Sequence, residues 1–224
     1  MKALILAAGR GTRMRPLTDV TPKPLLKVGG KALVEYHIEA LARAGIKDII
    51  INLSYRGSQI ESFLGSGEQY DVNLSYSHEG SPALETGGGI FRVLPQLGES
   101  PFLVVNGDIW TDYDFTSLPQ SFHGHAHLVM VNNPEHHPDG DFAIEDGRLH
   151  YKAQNKLTFS GIGLYRSTLF DGCEEGAFPL APLLRDAMDQ DNITGEHYQG
   201  EWQDIGTPER LLLLDINLNK SAQE

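Results

Sequence analysis

The sequence predicts an α/β fold: a mixed, mainly parallel central sheet flanked by helices, with a smaller β-rich part in the second half. Three observations carry this. Short apolar runs at residues 3–6, 49–51 and 102–105 have no polar face, as expected of strands buried on both sides. Amphipathic stretches of helical spacing separate them, which is what crossover connections between parallel strands require. Beyond residue 125, strand-like segments and turn signals dominate, with one helical stretch among them before a C-terminal helix.

The elements follow in order. The strand at 3–6 stops at Gly9 and Gly11. Residues 33–44 place Leu33, Val34, Ile38, Leu41 and Ala42 on one helical face, and Gly45 supplies the stop. A strand at Asp48–Leu53, a short helix at 59–64 and an alternating strand at Asn73–His78 come next. A helix at 89–97 then leads to a buried strand at 102–105, which ends in Asn106-Gly107-Asp108. In the second half, 125–131 and 159–165 read as strands, and Asp146-Gly147 predicts a hairpin over 142–151. Leu180–Met188 reads as a helix, and 195–205 as a hairpin turning near Gln199-Gly200. Thr207 as N-cap and Pro208 at the first helical position open the last helix, with residues 211–214 as its buried face. No repeat, low-complexity segment or linker divides the chain, which reads as a single domain over 1–224.

Composition excludes several classes. At 40% hydrophobic and 21% charged residues the chain is an ordinary globular protein. No apolar run approaches the length of a membrane span, and the N-terminal one stops too early, at Gly9 and Arg10, for a signal peptide. A lone cysteine, Cys173, rules out an internal disulfide and fits a reducing cytoplasm; with Glu174 and Glu175 beside it, the thiol has no activating cation in sequence. A pI near 5.1 argues against nucleic acid as a partner. Monomer and homo-oligomer fit the sequence equally.

Charge is nevertheless uneven. Residues 1–31 carry seven Lys or Arg and one acid, Asp19, in a chain of net charge −12. The basic excess surrounds Gly9 and Gly11, where a glycine-turned backbone lets N–H groups approach anionic oxygens. Arg10, Arg13, Arg15 and Lys23 follow, and guanidinium and ammonium groups both suit phosphate. The plainer reading is a solvated polar loop. Two general phosphate loops are excluded: Gly-x4-Gly-Lys-Ser/Thr is absent, and Met14 stands where a dinucleotide fingerprint needs its third glycine.

Residues 6–18, Leu-Ala-Ala-Gly-x-Gly-Thr-Arg-x-x-Pro-Leu-Thr, followed by Pro22-Lys23-Pro24-Leu25, resemble the opening of sugar-1-phosphate nucleotidyltransferases. Glu85-Thr86-Gly87-Gly88-Gly89 and Thr158-Phe159-Ser160-Gly161 extend the resemblance along the chain. It implies a Rossmann-like nucleotidyltransferase fold with a nucleotide-binding half (1–110) and a sugar-binding half with closing helix (111–224). The substrates implied are UTP and a sugar-1-phosphate, the cofactor Mg²⁺, and the reaction UMP transfer to a hexose 1-phosphate of the N-acetylmuramate type. Another hexose-1-phosphate (glucose, mannose or glucosamine type), GTP, or a nucleotide-sensing regulatory role are the rivals.

The resemblance also implies roles. Arg13 is expected on the β/γ-phosphates, and Lys23 on the α-phosphate and the attacking phosphate. Asp108 and Asp204 are expected to hold the metal; read alone, each is equally a cap or turn residue. Backbone around Ala7, Ala8, Gly9, Gly11 and Thr12, and the stretch 79–89 with Glu79, Thr86, Gly87 and Gly88, are expected to meet the nucleotide, although the glycines also read as a flexible turn. Asn106 is expected at the ribose or sugar, and Lys152 and Gly161 on the sugar side. Phe159 stands where relatives carry Asn before x-Gly, which suits a bulkier, partly apolar substituent such as a lactyl ether. Nine histidines include His123, His125 and His127 at a spacing of two, with His136 and His137 following. The spacing reads as a solvated strand face ahead of a zinc site, since acidic ligands and a fourth position are missing.

Overall fold

A computed structural model of the chain describes residues 1–80 and 83–221. In chain order the main elements of the first half are β1 (Lys2–Leu6), β2 (Lys27–Val28), β3 (Lys31–Ala32), α1 (Leu33–Arg43), β4 (Asp48–Leu53) and α2 (Gly57–Leu64). β5 (Asn73–His78), α3 (Glu85–Leu97), β6 (Phe102–Asn106) and β7 (Ile109–Thr111) follow. The second half contributes β8 (Ala126–Val131), β9 (Ala143–Glu145), β10 (Arg148–His150), β11 (Thr158–Tyr165) and α4 (Leu180–Met188). β12 (Ile193–Tyr198), β13 (Trp202–Asp204) and α5 (Pro208–Ser221) close the chain.

Nine strands form one sheet in the order β5-β4-β1-β6-β11-β8-β12-β10-β9. The first four run parallel, because α1, α2 and α3 carry the chain back over the sheet between them. β11 then runs antiparallel to both β6 and β8, while β12 is parallel to β8. Ala3, Leu4 and Ile5 of β1 are fully buried, which explains a strand with no polar alternation. One face packs on α1 and α2 through Ile38, Leu41, Ile60 and Leu64. The other packs on α3 and α4 through Ile90, Val93, Leu184 and Met188.

The topology also selects a location. From β1 the chain builds outward through β4 and β5, then returns to place β6 on the opposite side of β1. Such a switch point opens a crevice at the carboxyl ends of the two strands. Here those ends are Leu6 and Asn106, which are register partners.

Four expectations are corrected. The helix expected from residue 89 begins at Glu85, so the glycine triplet is helical and buried. The segment before α4 lies directly on that helix: a Cβ on Gly87 would come within 2.5 Å of the Phe178 ring, and one on Gly88 would collide with the Gly176 carbonyl. These glycines serve close contact, not a turn. The expected hairpin over 195–205 does not form. β12 joins the large sheet beside β8, while β13 pairs with β7, because strand patterning does not name a partner. In α5, Leu211, Leu214 and Leu218 pack with Met14, Val28 and Ile205, whereas Leu212 and Leu213 are 59% and 54% exposed. Four consecutive residues on a helix sweep most of a turn and cannot share one face. Finally, His123 and His125 precede β8, and His127 is buried, with Nδ1 2.9 Å from Thr194 Oγ1, so these three do not share a solvated strand face.

Candidate active site

The loop after β1 is folded onto itself by local chemistry. Gly11 has φ of 60°, and a Cβ there would lie 3.0 Å from Thr18 Cγ2 and 3.3 Å from Lys23 Cβ. Thr18, buried, donates its hydroxyl to the Gly11 carbonyl at 2.8 Å. The result is a cavity of about 350 Å³. Ala7, Gly9, Gly11 and Thr12 line it, as do Arg13, Lys23, Thr86, Asn106, Asp108 and Gly206. Lys23 is buried and donates to Asp108 Oδ2 at 2.7 Å. Arg13 is exposed and has no hydrogen bond or ion pair among the described residues, so its charge is available to a ligand. Arg10 lies outside the lining, and Arg15 pairs with Asp19 at 3.1 Å on the surface. Of four candidate cations the fold thus brings two to the cavity.

The backbones of Asp108 and Asp204 adjoin at the start of the β7–β13 ladder, while their side chains line different cavities. Asp204 is opposite Ile109, and Ile205 donates its N–H to the Asp108 carbonyl at 2.8 Å. From α1, the fully buried His37 places Nε2 2.9 Å from the Ile109 carbonyl. Desolvation pushes its pKa down to about 4, so the ring is neutral at pH 7 and donates Nε2–H to that oxygen. Asp204 is covered by two residues that the sequence reading missed: His136 Nε2 lies 2.8 Å from Oδ1, and Arg210 donates to both carboxylate oxygens. A Cβ on Gly206 would sit 2.8 Å from Arg210 Nη2, so the glycine is what admits the guanidinium. Asp204 faces a separate cavity of about 710 Å³ between α5, β13 and the 134–136 loop.

A third cavity, about 250 Å³, adjoins the first and shares Leu6, Thr86 and Asn106 with it. Phe142, Phe159, Tyr165, Leu180 and Leu184 make its walls apolar, with Asp141 and Gly161 among them. β11 bulges between Phe159 and Ile162. Ser160 fixes the bulge by donating to Val129 O at 2.6 Å, while Trp202 Nε1 donates to Ser160 O at 2.9 Å. Gly161 has φ of 84°, and a Cβ there would lie 2.5 Å from Asn106 Nδ2. The glycine is therefore the space that Asn106 occupies.

Other expected residues lie elsewhere. Ala8, Gly87 and Gly88 are buried but line neither chamber, and Ser81 and Pro82 of the 79–89 stretch lie outside the described residues. Glu79 is buried, one oxygen accepting from Asn52 Nδ2 and the other from Leu84 N. Lys152 is over the Tyr151 ring and pairs with Asp189 at 2.8 Å beyond the end of α4. Burial pushes the Cys173 thiol pKa up, in keeping with an unreactive side chain.

The sequence pattern of the family described as nucleotidyl transferase matches residues 2–221. The chain belongs to the nucleotidyl transferase family. Within it, the chain is 52% identical over 222 residues to the N-acetylmuramate alpha-1-phosphate uridylyltransferase of Neisseria meningitidis serogroup B, covering 94% of this chain and 95% of that one. It is 32% identical over 231 residues to the mannose-1-phosphate guanyltransferase of Schizosaccharomyces pombe, covering 95% of this chain but only 62% of that longer nucleotidyl transferase. The crystal structure of HddC from Yersinia pseudotuberculosis complexed with GMP-PN superposes with a TM-score of 0.79 at 22% identity, covering 96% of this chain and 98% of that one, which establishes the shared fold.

Proposed function

We propose that this nucleotidyl transferase moves UMP from UTP to the 1-phosphate of N-acetylmuramate, giving UDP-N-acetylmuramate and pyrophosphate. The observation that carries the reading is the pair of joined chambers, one cationic and one apolar, meeting at Leu6, Thr86 and Asn106. A sugar phosphate oxygen, already anionic, attacks the α-phosphorus; the new P–O bond forms as the α–β bridging bond breaks, and pyrophosphate carries the electron pair away. No protein nucleophile is needed. The difficulty is repulsion between two polyanions, which fixed cations offset. Arg13 is free to take the β/γ-phosphates, and Lys23 is held at the chamber wall for the α-phosphate and the incoming phosphate. Glycine backbone at 9 and 11 approaches the nucleotide closely, and Asn106 bridges the two substrates. Relatedness to the Neisseria enzyme supports the sugar, and the aromatic wall at Phe159 suits a lactyl ether.

Asp108 and Asp204 would hold Mg²⁺. Their backbones adjoin at the start of the β7–β13 ladder, and in this structure Asp108 pairs with Lys23 and Asp204 with Arg210, with His136 Nε2 2.8 Å from Asp204 Oδ1. Mg²⁺ takes one or two protein carboxylates and completes its shell with phosphate and water oxygens, which a pair of aspartates suits. When bound, Mg²⁺ neutralises phosphate charge in the transition state. Among the described residues no helix is long and apolar enough to cross a membrane; a cytoplasmic place in cell-wall recycling completes the proposal.

Pyrophosphate release tests the reading, with UTP, GTP, CTP and dTTP each paired with a panel of sugar-1-phosphates. Release confined to UTP and N-acetylmuramate 1-phosphate is expected. Release with another pair would overturn the substrate, and nucleotide binding without release from any pair would overturn the enzymatic role.

A further inference from the structure

We infer that Asn52, acting through Glu79, is a positioning residue that fixes the distance between the phosphate loop and the segment entering α3. Asn52 is the last residue of β4 that pairs with β1, is 2% exposed, and lines neither chamber. Its Oδ1 accepts the Ala7 N–H at 2.6 Å. Its Nδ2 donates to Glu79 Oε1 at 2.6 Å, and Glu79 Oε2 accepts the Leu84 N–H at 2.9 Å.

Both ends of this relay are backbone groups of the site. Ala7 is the first residue past β1 and lines the phosphate chamber, and its N–H falls beyond the last ladder pair of that strand. Leu84 precedes α3, whose Thr86 lines both chambers. Glu79 is 8% exposed, a placement that is costly for a carboxylate unless its oxygens are satisfied. The space above the pair is reserved as well: a Cβ on Gly89 would lie 2.6 Å from Glu79 Oε1 and 2.9 Å from Asn52 Nδ2. Only a glycine in the second turn of α3 lets the helix rest on this pair. The third glycine of the triplet is thus explained by the relay, as the first two are by residues 176–178.

The polarity of the relay is directional. Asn52 must offer an acceptor to Ala7 and a donor to Glu79, and its amide does both at once from two separate atoms. Asn52→Asp sets two carboxylates against each other at the same spacing. With Glu79→Gln added, the polarity is restored: the introduced carboxylate accepts from Ala7 N–H and from the Gln amide, whose oxygen accepts from Leu84 N–H. Because the inference rests on the proposed nucleotide site, binding of UTP with Mg²⁺ is measured first on the wild-type chain. Failure there would sink the earlier reading and not this one.

The expected result is that Asn52→Asp raises the UTP KM about tenfold or more, the scale of one broken buried hydrogen bond between unlike partners. The fall in kcat is smaller, and Asn52→Asp/Glu79→Gln recovers most of the lost KM. Circular-dichroism melting of each variant keeps folding separate from binding, and the assays run well below the lowest midpoint. Recovery of the melting midpoint in the double variant without recovery of KM would overturn the inference. So would a folded Asn52→Asp protein with an unchanged KM. If Asn52→Asp does not fold, Asn52→Ala, which removes both the donor and the acceptor, takes its place: a raised UTP KM in the folded variant supports the inference, and an unchanged KM overturns it.

Discussion

The phosphate chamber and the apolar chamber share three residues but are assembled by different means. The first comes largely from one contiguous loop, residues 7–23, in which glycine, threonine and lysine order each other locally. The second is collected from β6, β11, the 141–142 segment and α4, which touch only in the finished fold. The comparison teaches that a cationic chamber is a matter of backbone and charge, which a short loop can supply, whereas an apolar chamber takes side chains from distant strands. On the proposed function the first holds phosphate and the second the sugar.

Predictions can break or sharpen this contrast. The largest effect belongs to the contiguous loop. Lys23→Met removes the buried cation beside Asp108 and should lower kcat/KM about a thousandfold with any sugar phosphate, as loss of a fixed transition-state cation does. Steady-state kinetics checks it, and a loss confined to one sugar would refute the division of labour.

Next comes His37, beneath the β7–β13 ladder. Its folded pKa, about 4, lies below the ordinary histidine value of roughly 6.5, so the fold favours the neutral ring. Its contribution is intact above that ordinary value and is lost as pH falls, because the unfolded chain takes up the proton first. Between pH 6.5 and 4 the loss approaches about 3 kcal/mol. Urea unfolding at pH 7 and pH 4.5 should show a smaller acid-induced loss in His37→Gln than in wild type.

Gly161→Ala addresses the sugar side. A Cβ at positive φ against Asn106 should cost about 2 kcal/mol of substrate binding, near thirtyfold in KM for the sugar phosphate, with the UTP KM altered far less. Equal changes in both would show Asn106 serving the nucleotide. Arg210→Met should act in the opposite sense: freeing Asp204 of its guanidinium should tighten Mn²⁺ binding to the nucleotide-free protein about tenfold, read by electron paramagnetic resonance. Weaker binding would make Arg210 an organiser of the carboxylate. The smallest effect is Phe159→Asn, which should relax sugar preference by a few-fold, the scale of changes in an apolar pocket. An unchanged preference would remove Phe159 from specificity.

The same contrast governs how much could be read from the chain. β1, β4, β6 and the phosphate loop were legible because each is a local pattern: an apolar run, or glycines followed by cations. The Asp146-Gly147 hairpin formed for the same reason, with both residues at positive φ. What was missed depends on partners far away in sequence. Gly87, Gly88 and Gly89 read as a turn because a sequence does not distinguish glycine that bends from glycine that makes room. Residues 195–205 read as a hairpin because pairing of β13 with β7 leaves no local mark. Arg210 and His136 on Asp204, and Asn52 beneath the loop, carry no signal of spacing at all. Lys152 met Asp189 because an exposed cation takes whatever carboxylate the fold sets beside it.

The β7–β13 ladder has a consequence for the newborn polypeptide. During synthesis residues 7–23 emerge well before residues 202–205, so the Asp108 carbonyl waits for the Ile205 N–H that it accepts in the finished fold. Until then nothing holds Asp204 opposite Ile109. Removal of residues 202–205 would therefore strip the Asp108 carbonyl of this donor while leaving the Thr18–Gly11 contact of the early loop in place.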